Sequence, residues 1–101
     1  MEELIQSELS VLLVESSKMQ QNIMIKKLNE ESVSNIEVVN GKLEALAKIT
    51  KYPPDLIISN LHYEDGSAIE LLHTLRKYAE FSSLPFILVS SEQRRDHLEV
   101  F

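Results

Sequence analysis

Cysteine is absent from this sequence, which excludes a disulfide framework, a thiol nucleophile and a thiolate metal site. Glycine and proline are scarce, at two and three residues, too few for a linker or a disordered tail. The same scarcity leaves no glycine-rich cradle for a phosphate group. Positive charge is in deficit: ten basic residues stand against sixteen acidic ones, and the net charge of −6 repels phosphate backbones. Nucleic acid is therefore not expected as a partner. Long hydrophobic runs are missing as well, the longest strongly apolar stretches being about five residues where a membrane-spanning helix needs about twenty. The opening Met1-Glu2-Glu3 is acidic where a secretory signal is basic. These absences imply no membrane partner and a cytoplasmic setting.

What is present is 44% apolar residues in a chain of 101, enough for one hydrophobic core and one domain spanning 1–101. Short apolar runs alternate with stretches of helical spacing. The run Val11 to Val14 is continuously apolar, as expected of a central parallel strand covered on both faces, and sets a first strand at 10–14. Ser17 followed by Gln20 forms a capping box for a helix in which Met24, Ile25 and Leu28 share one face as far as Glu31. A second strand occupies Asn35 to Val39, Asn40-Gly41 forms a turn, and Leu43, Leu46, Ala47 and Thr50 make the face of a second helix. Pro53 and Pro54 stop that helix at Tyr52.

A third strand runs from Asp55 to Ser59 into a polar loop, Asn60 to Gly66. Ile69, Leu72, Leu75 and Arg76 then recur at helical spacing, and a third helix closes near Glu80. Pro85 opens a fourth strand to Val89, and Ser91 caps a fourth helix over Glu92 to Phe101. The order β-α-β-α-β-α-β-α with right-handed crossovers predicts a flavodoxin-like three-layer α/β/α sandwich. Its parallel sheet has the expected strand order 2-1-3-4, followed in complete versions by a fifth strand, and its ligand rim lies at the carboxyl ends of the strands. Glu15, Ser16, Asn60, Ser90 and Ser91 gather at that rim. With no fifth strand, Phe86 to Val89 becomes a sheet edge and the first helix alone covers one face. The expectation is either a chain that continues past Phe101 or a partner that supplies the missing cover.

The segment Val11-Leu12-Leu13-Val14-Glu15-Ser16, the run Pro54 to Leu72 and the stretch Pro85 to Ser91 together resemble the CheY-like receiver domain of bacterial two-component response regulators. The resemblance covers nearly all of the chain and stops before the last quarter of a typical receiver. It implies that Asn60 stands where the phosphorylated aspartate belongs, and that Glu15 and Ser16 stand at two acidic metal-binding positions. Ser90 falls at the hydroxyl position that reports phosphorylation. The loop departs from the family at Glu64, usually proline, and Ala68, usually glycine, and the lysine that ends the family's fifth strand has no counterpart. The implied protein is a pseudo-receiver that is neither phosphorylated nor an enzyme, and that binds a signalling protein or its own output domain. The alternative is a ligand- or metal-responsive switch at the same rim, working without covalent phosphorylation.

No cofactor is expected. An amide is no nucleophile for phosphoryl transfer, and Mg²⁺, which prefers hard oxygen ligands, finds only Glu15, a weak candidate. Replacing two carboxylates with Ser16 and Asn60 also relieves charge repulsion, and their side chains can hydrogen-bond each other or Ser90. His62, His73 and His97 lie on separate elements without ligand spacing, so no shared metal site is expected. Met19 and Ile23, one helical turn apart on the first helix, together with His62 and Tyr63 in the loop, are candidate contacts for a partner or for a homodimer. Arg94-Arg95, flanked by Glu92, Asp96 and Glu99, reads as a solvated helix face.

Overall fold

The computed structural model describes residues 8–90 and 97–100, with the side chains at 90 and 97–99 set aside. Its elements are β1 (Ser10–Val14), α1 (Lys18–Glu30), β2 (Asn35–Val39), α2 (Lys42–Lys51) and β3 (Leu56–Asn60). They are followed by β4 (His62–Tyr63), β5 (Gly66–Ser67), α3 (Ala68–Arg76), a 3₁₀ turn (Ala79–Phe81), β6 (Phe86–Ser90) and β7 (His97–Val100). The main sheet has the order β2-β1-β3-β6-β7, and its first four strands are parallel, as the alternation of apolar runs and helical stretches predicts. The architecture is the flavodoxin-like α/β/α fold expected from the sequence.

The pleat divides the strand residues between two faces. Leu12, Val14, Ile57, Phe86 and Leu88 point to the larger core, where Ala45 and Ile49 of α2 and Leu71 and Leu75 of α3 meet them. Val11, Leu13 and Ile58 point to the other face, which Met24, Ile25 and Leu28 of α1 cover. Ser17 caps α1 as expected, its side chain accepting from the Gln20 N–H at 3.3 Å. At the far end of α1, Ser32 takes a left-handed backbone (φ 70°) while the Val33 N–H donates to the Leu28 carbonyl at 2.9 Å. That geometry closes the helix and drops Val33 into the core, at the cost of strain that glycine does not pay.

Several expectations need correction. The buried stripe of α2 is Ala45 and Ile49, with Leu46 partly buried, whereas Leu43 is 68% exposed and Ala47 and Thr50 face solvent. The small Ala45 is what lets the helix approach the sheet. In α3 the buried face is Ala68, Leu71, Leu72 and Leu75, and Ile69 lies half out. That helix ends at Arg76, whose guanidinium donates to the Phe81 carbonyl at 2.8 Å across the 3₁₀ turn. The third strand begins at Leu56, because Asp55 is occupied outside it: its carboxylate accepts from the Ser10 N–H at 2.9 Å and its own N–H donates to the Ser10 carbonyl at 2.8 Å. The strand extends through Asn60, which pairs with Val89.

The largest correction concerns the C-terminal region. The helix expected over Glu92 to Phe101 fails at His97–Val100, which form a strand antiparallel to β6, with Ile87 opposite Val100 and Ser90 opposite His97. Residues 91–96 and 101, including Arg94-Arg95 and the Ser91 cap, lie outside the described residues. The edge expected at Phe86 to Val89 is therefore paired. A connection of six residues is too short for a parallel crossover, so the returning strand is antiparallel, and it satisfies the backbone groups that β6 would otherwise expose.

Two substitutions test the packing. Ile57→Ala should cost about 2–5 kcal/mol in urea unfolding, because Ile57 has no exposed surface. Ser32→Gly should stabilise the chain by about 1 kcal/mol through relief of the left-handed backbone, with the gain read as a higher urea midpoint at unchanged slope.

Candidate functional site

Pleat parity places the rim residues. Glu15 continues the face of Val11 and Leu13, and Asn60 continues that of Ile58, so both open toward α1 at the carboxyl ends of β1 and β3. A cavity of about 210 Å³ lies there, lined on its polar side by Glu15, Gln20, Ser59 and Asn60 and on its apolar side by Leu13, Ile23, Met24, Ile58 and Val89, with Lys27 also at its wall. The sequence-derived rim residues Glu15 and Asn60 thus share one site. Ser16 sits half-buried in the turn between β1 and α1, and Ser90 ends β6, one residue beyond the Val89 that lines the cavity.

Glu15 is 5% exposed and already engaged. Its carboxylate accepts from the Ser17 N–H at 2.9 Å, its N–H donates to the Val39 carbonyl, and its own carbonyl accepts from the Gln21 side chain at 2.6 Å. Gln21, buried on the inner face of α1, also donates to the Asn40 side chain at 3.1 Å, which ties the β1 exit to the β2 exit. Asn60 turns its side-chain oxygen to its own loop, accepting from the Leu61 N–H at 2.8 Å instead of reaching Ser16. Among the described residues, no group of three His, Cys, Asp or Glu side chains is arranged to hold a metal ion.

The loop after Asn60 is more structured than the sequence implies. His62–Tyr63 and Gly66–Ser67 form a small antiparallel hairpin turned by Glu64 and Asp65, and Gly66 leaves the turn at φ 151°, a backbone that residues with a side chain rarely adopt. Tyr63, grouped by the sequence with the exposed contact residues, is instead 8% exposed and packed into the larger core. Its hydroxyl meets that of Ser59, whose proton is committed to the Asn60 carbonyl at 2.6 Å, so the phenol is the donor. Burial, aided by the Asp65 and Glu15 charges and opposed by the Ser59 contact, pushes the Tyr63 hydroxyl up to about 12. His62 on the same hairpin is exposed, as are Met19 and Ile23 on α1, at 66% and 39%.

Asp65, at the hairpin tip, reaches across to the start of α2. Its carboxylate accepts from the Lys42 N–H at 2.8 Å and the Leu43 N–H at 3.0 Å, serving as the cap that Gly41 lacks. These bonds, Leu43 first and Lys42 next, hold its carboxyl below the ordinary value. A Cβ on Gly41 would meet the Asp65 carboxylate, so a larger residue there would displace the cap. Sequence reasoning missed Asp65, Gln21 and Ser59 as parts of this site. A glutamine on the apolar stripe of α1 and an uncapped Gly41 were the available signals.

The response regulator receiver domain model matches residues 11–100. The chain belongs to the response regulator receiver family. Among curated proteins it resembles chemotaxis protein CheY-3 of Vibrio cholerae, with 21% identity over 98 residues, covering 97% of this chain and 75% of that protein. A solved signal receiver domain of a histidine kinase from Syntrophus aciditrophicus superposes with a TM-score of 0.77 at 26% identity, covering 85% of this chain and 64% of that one. A receiver protein from Pseudomonas putida gives 0.71 at 24% identity, covering 83% and 69%. This receiver is thus a CheY-like domain of two-component signalling, and its family consists of signalling modules, not enzymes. Such modules act through contacts with kinase or output-domain partners.

Two titrations follow from the hairpin. An alkaline absorbance titration should show one of the three tyrosines ionising only near pH 12. Because that pKa is raised, Tyr63 stabilises the fold below its ordinary value of 10.0 and ceases to do so as pH rises toward 12; Tyr63→Phe should remove the late phenol step. For Asp65 the sign is opposite. Its depressed pKa contributes stability above the ordinary 3.8 that disappears as pH falls through the lowered value. Asp65→Ala should therefore unfold more easily than the native chain at pH 7, with the difference vanishing in strong acid.

Proposed function

We propose that this receiver is not phosphorylated and serves as a protein-interaction module in two-component signalling, in a cytoplasmic setting. The observation that carries the reading is Asn60, which ends β3 where the family resemblance expects the acceptor aspartate, with its amide oxygen bound to the Leu61 N–H. Phosphoryl transfer at this position needs a carboxylate nucleophile, a divalent cation to neutralise the transferring group, and a further cation. The amide is not a nucleophile. Among the described residues, Glu15 is the one carboxylate lining the cavity beside Asn60, and it is already bonded to the Ser17 N–H. Ser16 offers a hydroxyl in place of the second acid, which supports weak Mg²⁺ binding or none. Signalling then passes through contacts of the domain with a signalling protein or an output domain, and the exposed Met19, Ile23 and His62 are available for them.

A second reading, a ligand-responsive switch, draws support from the cavity of about 210 Å³, which is walled by both polar and apolar side chains. The two readings separate in one experiment. Intact-mass measurement with a small-molecule phosphodonor and Mg²⁺ should leave the chain unchanged, and Asn60→Asp should gain only feeble labelling, since Ser16 still replaces an acid. Robust Mg²⁺-dependent labelling of the native chain overturns the proposal. An unlabelled chain whose melting temperature rises with a small anion favours the switch.

A further inference from the structure

Of the five asparagines in the chain, Asn40 alone is followed by glycine. Asn22 and Asn35 precede isoleucine, Asn60 precedes leucine and Asn29 precedes glutamate. The difference is chemical. Asparagine is a thermolabile residue, because the backbone nitrogen of the next residue can attack its side-chain amide and close a ring. A side chain on that next residue obstructs the approach, and glycine has none.

Asn40 stands exposed in the junction between β2 and α2, with its amide held in place. Its Oδ1 accepts from the Gln21 side chain at 3.1 Å, and its N–H donates to the Glu44 carboxylate at 2.8 Å. Gln21 is buried, and its amide also donates to the Glu15 carbonyl at 2.6 Å, so the donor aimed at Oδ1 is anchored on the exit of β1. On the other side of the bond, the Gly41 carbonyl accepts from the Ala45 N–H at 3.0 Å, while among the described residues no acceptor meets the Gly41 N–H. Removing that proton therefore breaks no hydrogen bond within the protein. Glu44, Glu64 and Asp65 line the same cavity of about 230 Å³ as Asn40 and Gly41, and their charges oppose a developing anion. The Gln21 amide offsets them, since it donates to the oxygen on which negative charge builds.

We propose that the Asn40-Gly41 bond is a deamidation site of the folded chain, with Gln21 as the residue that positions and polarises the amide. Hydroxide takes the Gly41 N–H proton, and the nitrogen bonds to Asn40 Cγ while the carbonyl electron pair moves to Oδ1 beside the Gln21 donor. Collapse of this intermediate expels Nδ2, which takes a proton from water and leaves as ammonia, and a succinimide remains. Water then opens the ring: cleavage of the new Cγ–N bond gives aspartate, and cleavage of the original C–N bond gives isoaspartate. The balance is one water consumed and one ammonia released, with no oxidant or reductant. Asp65-Gly66 contains the same glycine, yet the Asp65 carboxylate is engaged by the Lys42 and Leu43 N–H groups, and a carboxylate anion is a poor electrophile. At position 40 either product adds a carboxylate to a cavity already lined by three. Isoaspartate also lengthens the backbone just before the Lys42 and Leu43 amides that hold Asp65, so the modification loosens the fastening of the hairpin to α2.

The test incubates the whole native chain in mildly alkaline buffer and follows its peptides by mass spectrometry, with isoaspartate counted by enzymatic methylation. Asn40 should gain a single mass unit before Asn22, Asn29, Asn35 or Asn60 does, and sooner as pH rises, because the attacking nitrogen has to lose its proton. A gain of that size is distinct from a phosphoryl group, so the result is read independently of the phosphorylation reading. Gln21→Met keeps an unbranched side chain of similar length and removes the donor. It should slow conversion of the folded chain about tenfold, less than the loss of one donor costs in an enzyme oxyanion hole, and leave the rate in urea unchanged. Mere loosening of the junction has the opposite sign and speeds conversion. Asn40→Asp, a genetic copy of one product, should lower the melting temperature. Retention of Asn40 while another asparagine converts, isoaspartate arising first at Asp65, or a Gln21→Met chain that converts as fast as the native one or faster each overturns the proposal.

Discussion

A parallel sheet joined by right-handed crossovers has to be covered on both faces, because its central strands carry apolar side chains in both directions. This constraint governs nearly everything in the chain. Val11 to Val14 send Leu12 and Val14 to one core and Val11 and Leu13 to the other, so β1 cannot be stable with a helix on one side only. Among the described helices, two close the first face and one closes the second. The consequences are a tight core under α2 and α3, a looser one under α1, and a cavity at the rim where the looser side meets the strand ends.

The same asymmetry separates the rigid part of the site from the open part. On the α2–α3 side, Tyr63, Ser59 and the Asn60 carbonyl are linked by hydroxyl hydrogen bonds, and Asp65 fastens the hairpin to the start of α2. These contacts hold the loop after β3 in place with protein groups alone. On the α1 side, Glu15 and Asn60 each spend side-chain hydrogen-bonding capacity on nearby backbone N–H groups. Removing carboxylates from such a rim lowers electrostatic repulsion that a bound cation otherwise offsets. The proposed loss of phosphorylation fits that lowered repulsion.

Much of this fold can be read directly from residue patterns. The strands expected at 10–14 and 35–39 match, that expected at Asp55 to Ser59 is shifted by one residue, the Ser17 cap matches the start of α1, and Pro53-Pro54 matches the end of α2. The family resemblance through Glu15, Ser16 and Asn60 pointed to the strand-end rim, where Glu15 and Asn60 line one cavity. The face of α2 was misread because Leu43 is more hydrophobic than Ala45, yet close approach to the sheet favours the smaller residue and leaves Leu43 in solvent. Tyr63 was misread because a polar loop sequence does not reveal that Ser59, four residues away, supplies a buried hydrogen-bond partner.

The sequence by itself determined the four parallel strands with the three helices between them and the chemistry available at positions 15, 16 and 60, because periodicity and side-chain type are local properties. Only the tertiary structure decided the reversed direction of β7, the reach of Asp65 to the α2 amides, and the uneven cover of the sheet. Each depends on groups far apart in the chain or on the unpaired edge of another strand. Local spacing carries no record of which distant backbone groups need a partner, and the folded arrangement has to satisfy them.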